Sequence, residues 1–174
     1  MVKFGIISDT HINDDSDVGF IKALLEQLKK IFKDVDEIIH AGDICTESFL
    51  VELNKIAPTK SVKGNMDNIE GLNDFFKFSA GSYNIGVIHE PPEDLEGFFK
   101  ENELHILIHG HTHQPITKGT AYNALILNPG SPTFPEAPPP KRGFEKPIAR
   151  PSVVTLEIDE ESDIMSTYTI NLKF

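Results

Sequence analysis

Apolar residues in the first third of the chain occur in two patterns, short continuous runs and helical spacing. The run KFGIIS (Lys3–Ser8) shows no polar alternation, which predicts a strand buried on both faces. Over Val18–Phe32, apolar residues recur at helical spacing, which predicts a helix. The lysines lie near its C-terminal end, where their positive charge interacts favourably with the helix dipole. A strand over 36–43 and a helix over 47–56 follow, with Thr46 as the expected N-cap. This β-α-β-α order predicts an α/β protein whose first strands form a largely parallel sheet.

The rest of the chain continues with apolar runs that predict further strands and one more short helix. The last two strands flank a turn at EESD, so they should pair in an antiparallel manner and join a sheet already present. The predicted strands cover 59–65, 83–90, 103–111, 121–131, 152–159 and 166–174, and the predicted helix covers 93–102.

The segment Pro132–Pro151 interrupts this pattern and contains more than half of the chain's twelve prolines. Such a segment cannot be a helix or a central strand, so we predict a proline-rich loop over 132–151. The strands after it are too few to form a separate domain. With 174 residues, the chain is therefore expected to form one domain, 1–174.

Composition narrows the class of protein. The hydrophobic fraction of 39% and the charged fraction of 25% are ordinary for a globular protein in water, and no apolar run approaches the ~20 residues of a membrane span. The N-terminus lacks the pattern of a signal peptide, and a single cysteine, Cys45, fits a reducing compartment, so we expect a cytoplasmic protein. The net charge of −11 makes nucleic acid and anionic membranes poor partners. The net charge does not exclude binding of a small anionic substrate, because bound divalent metal ions would reverse the local charge.

Polar residues with potential chemistry follow five of the predicted strands at the point where each strand ends. In open α/β sheets, ligands bind beyond the carboxyl ends of the strands, so these side chains are expected to converge. They are Asp9 and His11, Asp43, Asn65 with Asp67, His89, and His111 with His113.

The side chains in this set suit metal binding. Seven of them offer carboxylate, amide and imidazole ligands without thiolate, which favours Mn, Fe, Co, Ni or Zn over calcium. Seven ligands exceed what one such ion accepts, whereas two ions ~3.5–4 Å apart that share a carboxylate would use them all.

The same residues carry a family resemblance. Asp9-x-His11, Gly42-Asp43, Gly64-Asn65-x-Asp67, His89 and Gly110-His111-x-His113 resemble, in order, the five motifs of the calcineurin-like metallophosphoesterases. The later NPGSP, the proline-rich loop and the Lys-Arg-Gly triplet at 141–143 resemble the small bacterial and archaeal phosphodiesterase branch. The resemblance implies a four-layer α/β/β/α sandwich of two packed mixed sheets.

The resemblance also implies roles for individual residues. One metal ion would be bound by Asp9, His11, Asp43 and His113, and the other by Asp43, Asn65, His89 and His111. Asp43 would bridge the two ions, and a hydroxide between them would attack phosphorus in line. Manganese is the expected metal, with nickel, iron, cobalt and zinc as alternatives. Asp43, Asn65 and His89 are the expected catalytic residues, and Arg142 is a candidate for binding a substrate phosphate.

Two positions depart from the family pattern. Many relatives have a histidine general acid after the asparagine, whereas this chain has Met66, which cannot donate a proton. Glu90 stands where relatives often have glycine. We interpret His40, His105 and His109 as structural or supporting residues.

The sequence therefore predicts a dinuclear phosphodiesterase that acts on a small organic phosphate or nucleotide. Two alternatives remain at this point. One is a nuclease, which the acidic charge disfavours, and the other is a non-catalytic protein-interaction scaffold on the same fold, as in a retromer subunit. The phenylalanine-rich regions around Phe75–Phe78 and Phe98–Phe99 are expected to form core or a contact in a homo-oligomer.

Overall fold

Ten strands and three helices make up the protein, whose computed structural model describes residues 1–174. The helices are α1 (Val18–Ile31), α2 (Glu47–Asn54) and α3 (Leu95–Glu101). The strands are β1 (Val2–Ile7), β2 (Glu37–His40), β3 (Thr59–Ser61), β4 (Phe75–Ala80), β5 (Tyr83–Ile88), β6 (Ile106–Ile108), β7 (Pro115–Gly119), β8 (Leu125–Pro129), β9 (Ser152–Asp159) and β10 (Ile164–Asn171).

The strands form two five-stranded mixed sheets. The first sheet has the order β10-β9-β1-β2-β3, in which β1, β2 and β3 are parallel and the C-terminal hairpin pairs antiparallel with β1. The second sheet has the order β4-β5-β6-β8-β7, with a parallel centre of β5, β6 and β8 between antiparallel edges. The C-terminal strands thus join an existing sheet, as the sequence predicts.

Three apolar clusters hold the layers together. The largest fills the space between the sheets, where Ile6 and Ile39 of the first sheet share a buried cluster with Ile106 and Leu127 of the second. A second cluster packs α1 and α2 against the outer face of the first sheet, and a third packs α3 against the second sheet through Phe99. This arrangement is the predicted α/β/β/α sandwich.

The two helices of the first layer begin differently. Asp17 caps α1, because its Oδ1 accepts a hydrogen bond of 2.6 Å from the amide of Phe20. Thr46 occupies the predicted N-cap position of α2, but its side chain makes no capping bond and its hydroxyl is buried without a partner. The prediction of Thr46 as the N-cap is therefore confirmed, although its side chain does not supply the capping bond.

Two strands, β4 and β7, were not predicted from the sequence. Both lie at the edges of the second sheet. Strand β7 begins with Pro115, which has no amide hydrogen and is tolerated there because it is the first residue of an edge strand. In β4, Phe76 and Phe78 turn towards the core between the sheets and Phe75 turns towards α3. The phenylalanine-rich run is thus core, one of the two expected roles.

The proline-rich segment 132–151 contains no helix or strand, as predicted. None of the three helices combines the length and the apolar character that a bilayer crossing requires.

Candidate metal centre

The carboxyl ends of five strands meet at one edge of the sandwich and bring the seven predicted ligands together. Asp9 and His11 follow β1, Asp43 follows β2, Asn65 follows β3, His89 follows β5, and His111 and His113 follow β6. Three short backbone hydrogen bonds, each of 3.0 Å, join the loops: Asp9 to Gly42, His11 to Asp43, and Gly110 to His89. The pairing of neighbouring strands therefore continues past the strand ends into the site.

Five of these ligand residues have left-handed backbone angles, which L-amino acids rarely adopt. Such strain persists only where the surrounding structure enforces it, and it concentrates at functional sites. The φ angles are 53° at Asp9, 45° at His11, 59° at Asp43, 70° at His111 and 56° at His113. The loops thus hold these side chains at some cost in backbone energy.

One group of ligand atoms consists of Asp9, His11 and His113, whose atoms all lie within 4.8 Å of one another. His113 Nε2 lies 3.4 Å from Asp9 Oδ1 and 3.1 Å from His11 Nε2. His11 Nε2 also lies 3.7 Å from Oδ2 of Asp43, so that carboxylate borders the group.

The second group forms on the other side of Asp43. Its Oδ2 lies 3.4 Å from His89 Nε2, and Asn65 Oδ1 lies 3.0 Å from the same nitrogen. His111 Nδ1 lies 3.2 Å from Asn65 Oδ1, which places His111 in this group and His113 in the first. Asp43 therefore borders both groups. Asp9 belongs to both as well, because its carboxylate lies within 4.8 Å of the ligand atoms of Asp43 and His89.

Two of the histidines are oriented by backbone carbonyl groups. His89 Nδ1 lies 2.8 Å from the oxygen of Ala41, and His113 Nδ1 lies 2.7 Å from the oxygen of Phe134. Because a carbonyl can only accept, Nδ1 carries the hydrogen in each ring, and Nε2 of the neutral ring presents a lone pair to the site. These lone pairs converge with carboxylate oxygens, an arrangement that a cation satisfies.

Protonation in the site follows from burial and these contacts. Burial raises the pKa of the Asp9 carboxyl. This effect is larger than that of the nearby histidine charges, which lower the pKa. Burial also disfavours the charged forms of Asp43 and His89. Hydrogen bonds outweigh this effect of burial at both residues. The bonds to His89 and to the amide of Met66 lower the pKa of Asp43, and the bonds to Asp43 and to the carbonyl of Ala41 raise the pKa of His89. Asp43 is therefore the stable carboxylate at the centre.

Two glycines of the motifs are required because their backbones pass directly against ligand side chains. A Cβ at Gly64 would collide with the carboxylate of Asp43, and a Cβ at Gly110 would collide with Ser8 and Asp9. Both collisions involve side chains or backbone of buried residues that have no room to shift. The glycine in each motif thus allows a neighbouring loop to approach its ligand.

Asp67, which the sequence analysis left without a role, holds two of the loops together. Its Oδ2 accepts hydrogen bonds from the amides of Asp43 at 2.9 Å and Gly64 at 2.8 Å, and its Oδ1 accepts one from Cys45 at 2.8 Å. The side chain is buried, at 6% exposure. Its place in the Gly-Asn-x-Asp motif was the only signal in the sequence.

The NPGSP stretch supports the site from behind. Asn128 donates to the carbonyl of Gly110 at 2.9 Å and to the hydroxyl of Thr112 at 3.1 Å. The hydroxyl of Ser131 donates to the carbonyl of Asp9 at 2.7 Å. These bonds connect the loop after β6 with β8 and the loop after β1 with the segment that follows β8, a role that the sequence motif did not reveal.

The remaining histidines and the cysteine are not members of the two ligand groups. His40 is fully buried beside the hydroxyl of Thr10, and His109 is buried with Nδ1 2.9 Å from the carbonyl of Gly110. His105 accepts a hydrogen bond from the amide of Asn84. Burial raises the pKa of the Cys45 thiol to about 11, and its Sγ lies 3.8 Å from His11 Nδ1.

Two charged residues named in the sequence analysis lie outside the ligand groups. Glu90 Oε1 is 3.6 Å from His111 Nε2, so this carboxylate stands at the rim of the second group. Arg142 is exposed in the proline-rich loop and makes no hydrogen bond or ion pair, so its contact with substrate stays a prediction.

Solved structures share this architecture. Vps29 from Entamoeba histolytica in complex with Zn²⁺ aligns with a TM-score of 0.72 and 24% identity, over 98% of this chain and 99% of that protein. An archaeal phosphodiesterase aligns with a TM-score of 0.65 and 22% identity, over 97% of this chain and 100% of that one. At these identities the likeness shows the fold alone.

Sequence relatives are closer. A probable metallophosphoesterase of Methanothermobacter thermautotrophicus is 35% identical over 165 residues, which cover 90% of this chain and 86% of the relative. A probable metallophosphoesterase of Methanocaldococcus jannaschii is 38% identical over 141 residues, covering 77% and 70%. The family model of the calcineurin-like phosphoesterase superfamily domain matches residues 2–161. This chain, with seven candidate ligands that converge in a two-sheet sandwich, belongs to the calcineurin-like phosphoesterase superfamily.

Proposed function

We propose that the protein is a dinuclear metal-dependent phosphodiesterase that acts on a small organic phosphate or nucleotide. Family membership supports a phosphoesterase. The observation that carries the finer proposal is the position of Asp43 between two groups of imidazole and oxygen ligands, with His11 on one side and His89 on the other.

The donor set fits two divalent ions, because carboxylate, amide and imidazole atoms converge with no cationic side chain among them. Asp9, His11, Asp43 and His113 would hold one ion, and Asp43, Asn65, His89 and His111 the other. Manganese suits this mixture, with iron, cobalt, nickel and zinc as alternatives. When bound, such ions supply Lewis acidity, which lowers the pKa of water and neutralises charge on phosphoryl oxygens.

The chain itself supplies rigid positioning. Backbone carbonyls fix the rings of His89 and His113, and the amide of Met66 donates to Asp43 Oδ1 at 2.8 Å. Ligands held in this way lose little freedom when they bind, which favours tight and correctly oriented binding.

The charges around the site favour diesters over monoesters. Met66 has no proton to donate to a leaving group, and the carboxylates of Glu90 and Glu136 lie beside the ligand groups. A phosphodiester carries one negative charge, whereas a monoester, with a second pKa of about 6, carries nearly two at pH 7. The diester therefore meets less repulsion.

The test compares hydrolysis of bis(p-nitrophenyl) phosphate with that of p-nitrophenyl phosphate, by the manganese-loaded protein and after chelation. We expect metal-dependent turnover with a higher kcat/KM for the diester. Asp43→Asn should lower that value by about 100-fold or more, because it weakens both ion sites. Asp74→Asn, which changes an exposed aspartate, is the matched control and should retain activity.

Other outcomes would reject parts of the proposal. A faster monoester reaction would overturn the diester preference, and one bound ion per active chain would overturn the dinuclear centre. A non-catalytic scaffold is the competing function. Vps29, which shares the fold, is named for vacuolar protein sorting. Absence of both bound metal and turnover would favour a scaffold. The net charge of −11 argues against a nuclease.

A further inference from the structure

We infer that Phe134 and Met66 form a binding site for an aromatic group on the substrate, so that the preferred diesters carry an aryl group or a nucleobase. This inference rests on the proposed function and specifies its substrate class.

A cavity of about 550 Å³ opens beside the first ligand group. His11 and His113 lie in its lining, together with the apolar side chains of Met66, Phe134 and Pro135. A phosphate bound at the ligand cluster would therefore direct one of its ester groups into a space with apolar walls.

The apolar side chains in this cavity are unusually exposed. Phe134 and Met66 are both 60% exposed. Covering apolar surface contributes roughly 25 cal/mol per Å², and exposed apolar patches beside a site commonly mark a ligand contact. A flat apolar group of the substrate would cover both side chains.

Phe134 is held rigidly relative to the ligands. Its amide donates to Ser131 Oγ at 2.9 Å, and that hydroxyl donates to the carbonyl of Asp9 at 2.7 Å. Its carbonyl accepts from His113, and its ring meets the ring of His11 edge-on, with centroids 5.7 Å apart. Because the backbone of Phe134 is tied to two ligand residues, its ring is pre-organised for stacking next to the phosphate.

The charge of the cavity selects against a second phosphate. Its lining contains no lysine or arginine, and its one carboxylate is Glu136. Asn13 offers an uncharged amide. The group that fits is therefore flat, apolar on its faces and uncharged. Aryl rings and nucleobases share this chemistry.

The test measures binding of three diesters to the manganese-loaded protein by calorimetry, over injections short enough that no probe is hydrolysed, which chromatography of the recovered probe checks. The probes are dimethyl phosphate, methyl phenyl phosphate and the methyl phosphodiester of thymidine. Because a base or aryl ring gains affinity by stacking on an aromatic side chain, we expect the aromatic probes to bind about 10-fold more tightly than dimethyl phosphate. Preference for thymidine over phenyl would assign the site to a nucleobase, and the reverse to an aryl group.

Phe134→Ala should reduce this preference to about 2-fold or less while the Kd of dimethyl phosphate stays the same. Phe134→Tyr should retain the preference, and Met66→Ala should reduce it in part. Phe144→Ala removes a phenylalanine that is 77% exposed outside the cavity and should have no effect.

Equal affinities for all probes in the wild-type protein, or a preference that survives in Phe134→Ala, would overturn the inference. Either result could occur in a protein that still hydrolyses diesters with manganese, which would leave the proposed function intact. A protein without metal-dependent turnover would instead fail the proposed function.

Discussion

At the scale of single residues, two buried histidines, His89 and His40, differ in whether their surroundings favour a proton on the ring. The imidazole of His89 has oxygen atoms at both ring nitrogens, so its contacts favour protons or a cation. His40 is fully buried, with Nε2 3.1 Å from Thr10 Oγ1 and with Nδ1 unpartnered. Burial lowers the pKa of His40 to about 3, so this ring is neutral wherever the protein is folded.

The buried His40 should make stability depend on pH. Its pKa of about 3 in the folded protein lies below the ordinary histidine value of 6.5, so between these values the unfolded chain binds a proton that the native protein does not. The free energy of unfolding therefore falls as the pH drops below 6.5, by about 2 kcal/mol from this residue between pH 7 and pH 5. Urea titrations with chelator present, at both pH values, should show a smaller decrease for His40→Gln by about that amount.

His105→Gln, which removes an exposed histidine, is the control for this comparison and should behave as the wild-type protein does. An equal decrease in the wild-type protein and in His40→Gln would show that His40 takes up its proton in the native state.

At the scale of elements, the site is built from loops that neighbouring strands hold in register. The carboxylate of Asp67 contributes most visibly, since it accepts from amides of the β2–α2 loop and of the loop after β3. The carboxylate of Asp43 accepts in return from the amide of Met66. The two loops are thus cross-linked in both directions, which fixes the carboxylate between the ligand groups.

Asp67→Asn should disturb the metal centre without removing any ligand. The new amide would turn an NH₂ group towards a backbone N–H, so at least one of the three hydrogen bonds is lost. We expect manganese affinity, measured by calorimetry, to fall by about 10–100-fold. Asp74→Asn is the matched control and should keep its affinity. Wild-type affinity in Asp67→Asn would mean that the loops hold their positions without this carboxylate.

At the scale of the whole molecule, the candidate centre joins the two sheets. Asp9, Asp43 and Asn65 follow strands of the first sheet, whereas His89, His111 and His113 follow strands of the second. Bound cations would therefore link both halves of the sandwich and offset part of the net charge of −11.

Manganese should consequently raise the melting temperature. At a free concentration 100 times the Kd, a ligand that binds only the native state stabilises it by ~2.7 kcal/mol. For a protein of this size that corresponds to an increase of roughly 5–10 °C, which differential scanning calorimetry with and without chelator would measure. Asp43→Asn should lose most of the increase. An unchanged melting temperature in the wild-type protein would contradict metal binding at this junction.

The sequence by itself determined the features that are written locally along the chain. Continuous apolar runs gave β1, β2 and β5, because burial on both faces removes polar alternation. The residue types at the strand ends were sufficient to predict which side chains lie together, since the order of parallel strands places those ends at one edge. The family resemblance added the second sheet, which periodicity alone did not.

Only the tertiary structure decided the features that depend on distant partners. Strands β4 and β7 form because β5 and β8 offer them free edges for pairing. Pro115, the first residue of β7, made that strand hard to predict from the sequence. Asp67 became a support when its carboxylate met amides more than twenty residues away. Ser131 lies 122 residues from Asp9, yet its hydroxyl donates a hydrogen bond to the carbonyl of Asp9 and accepts one from the amide of Phe134. Contacts at such separations depend on how the two sheets pack, and no local pattern of residues records that packing.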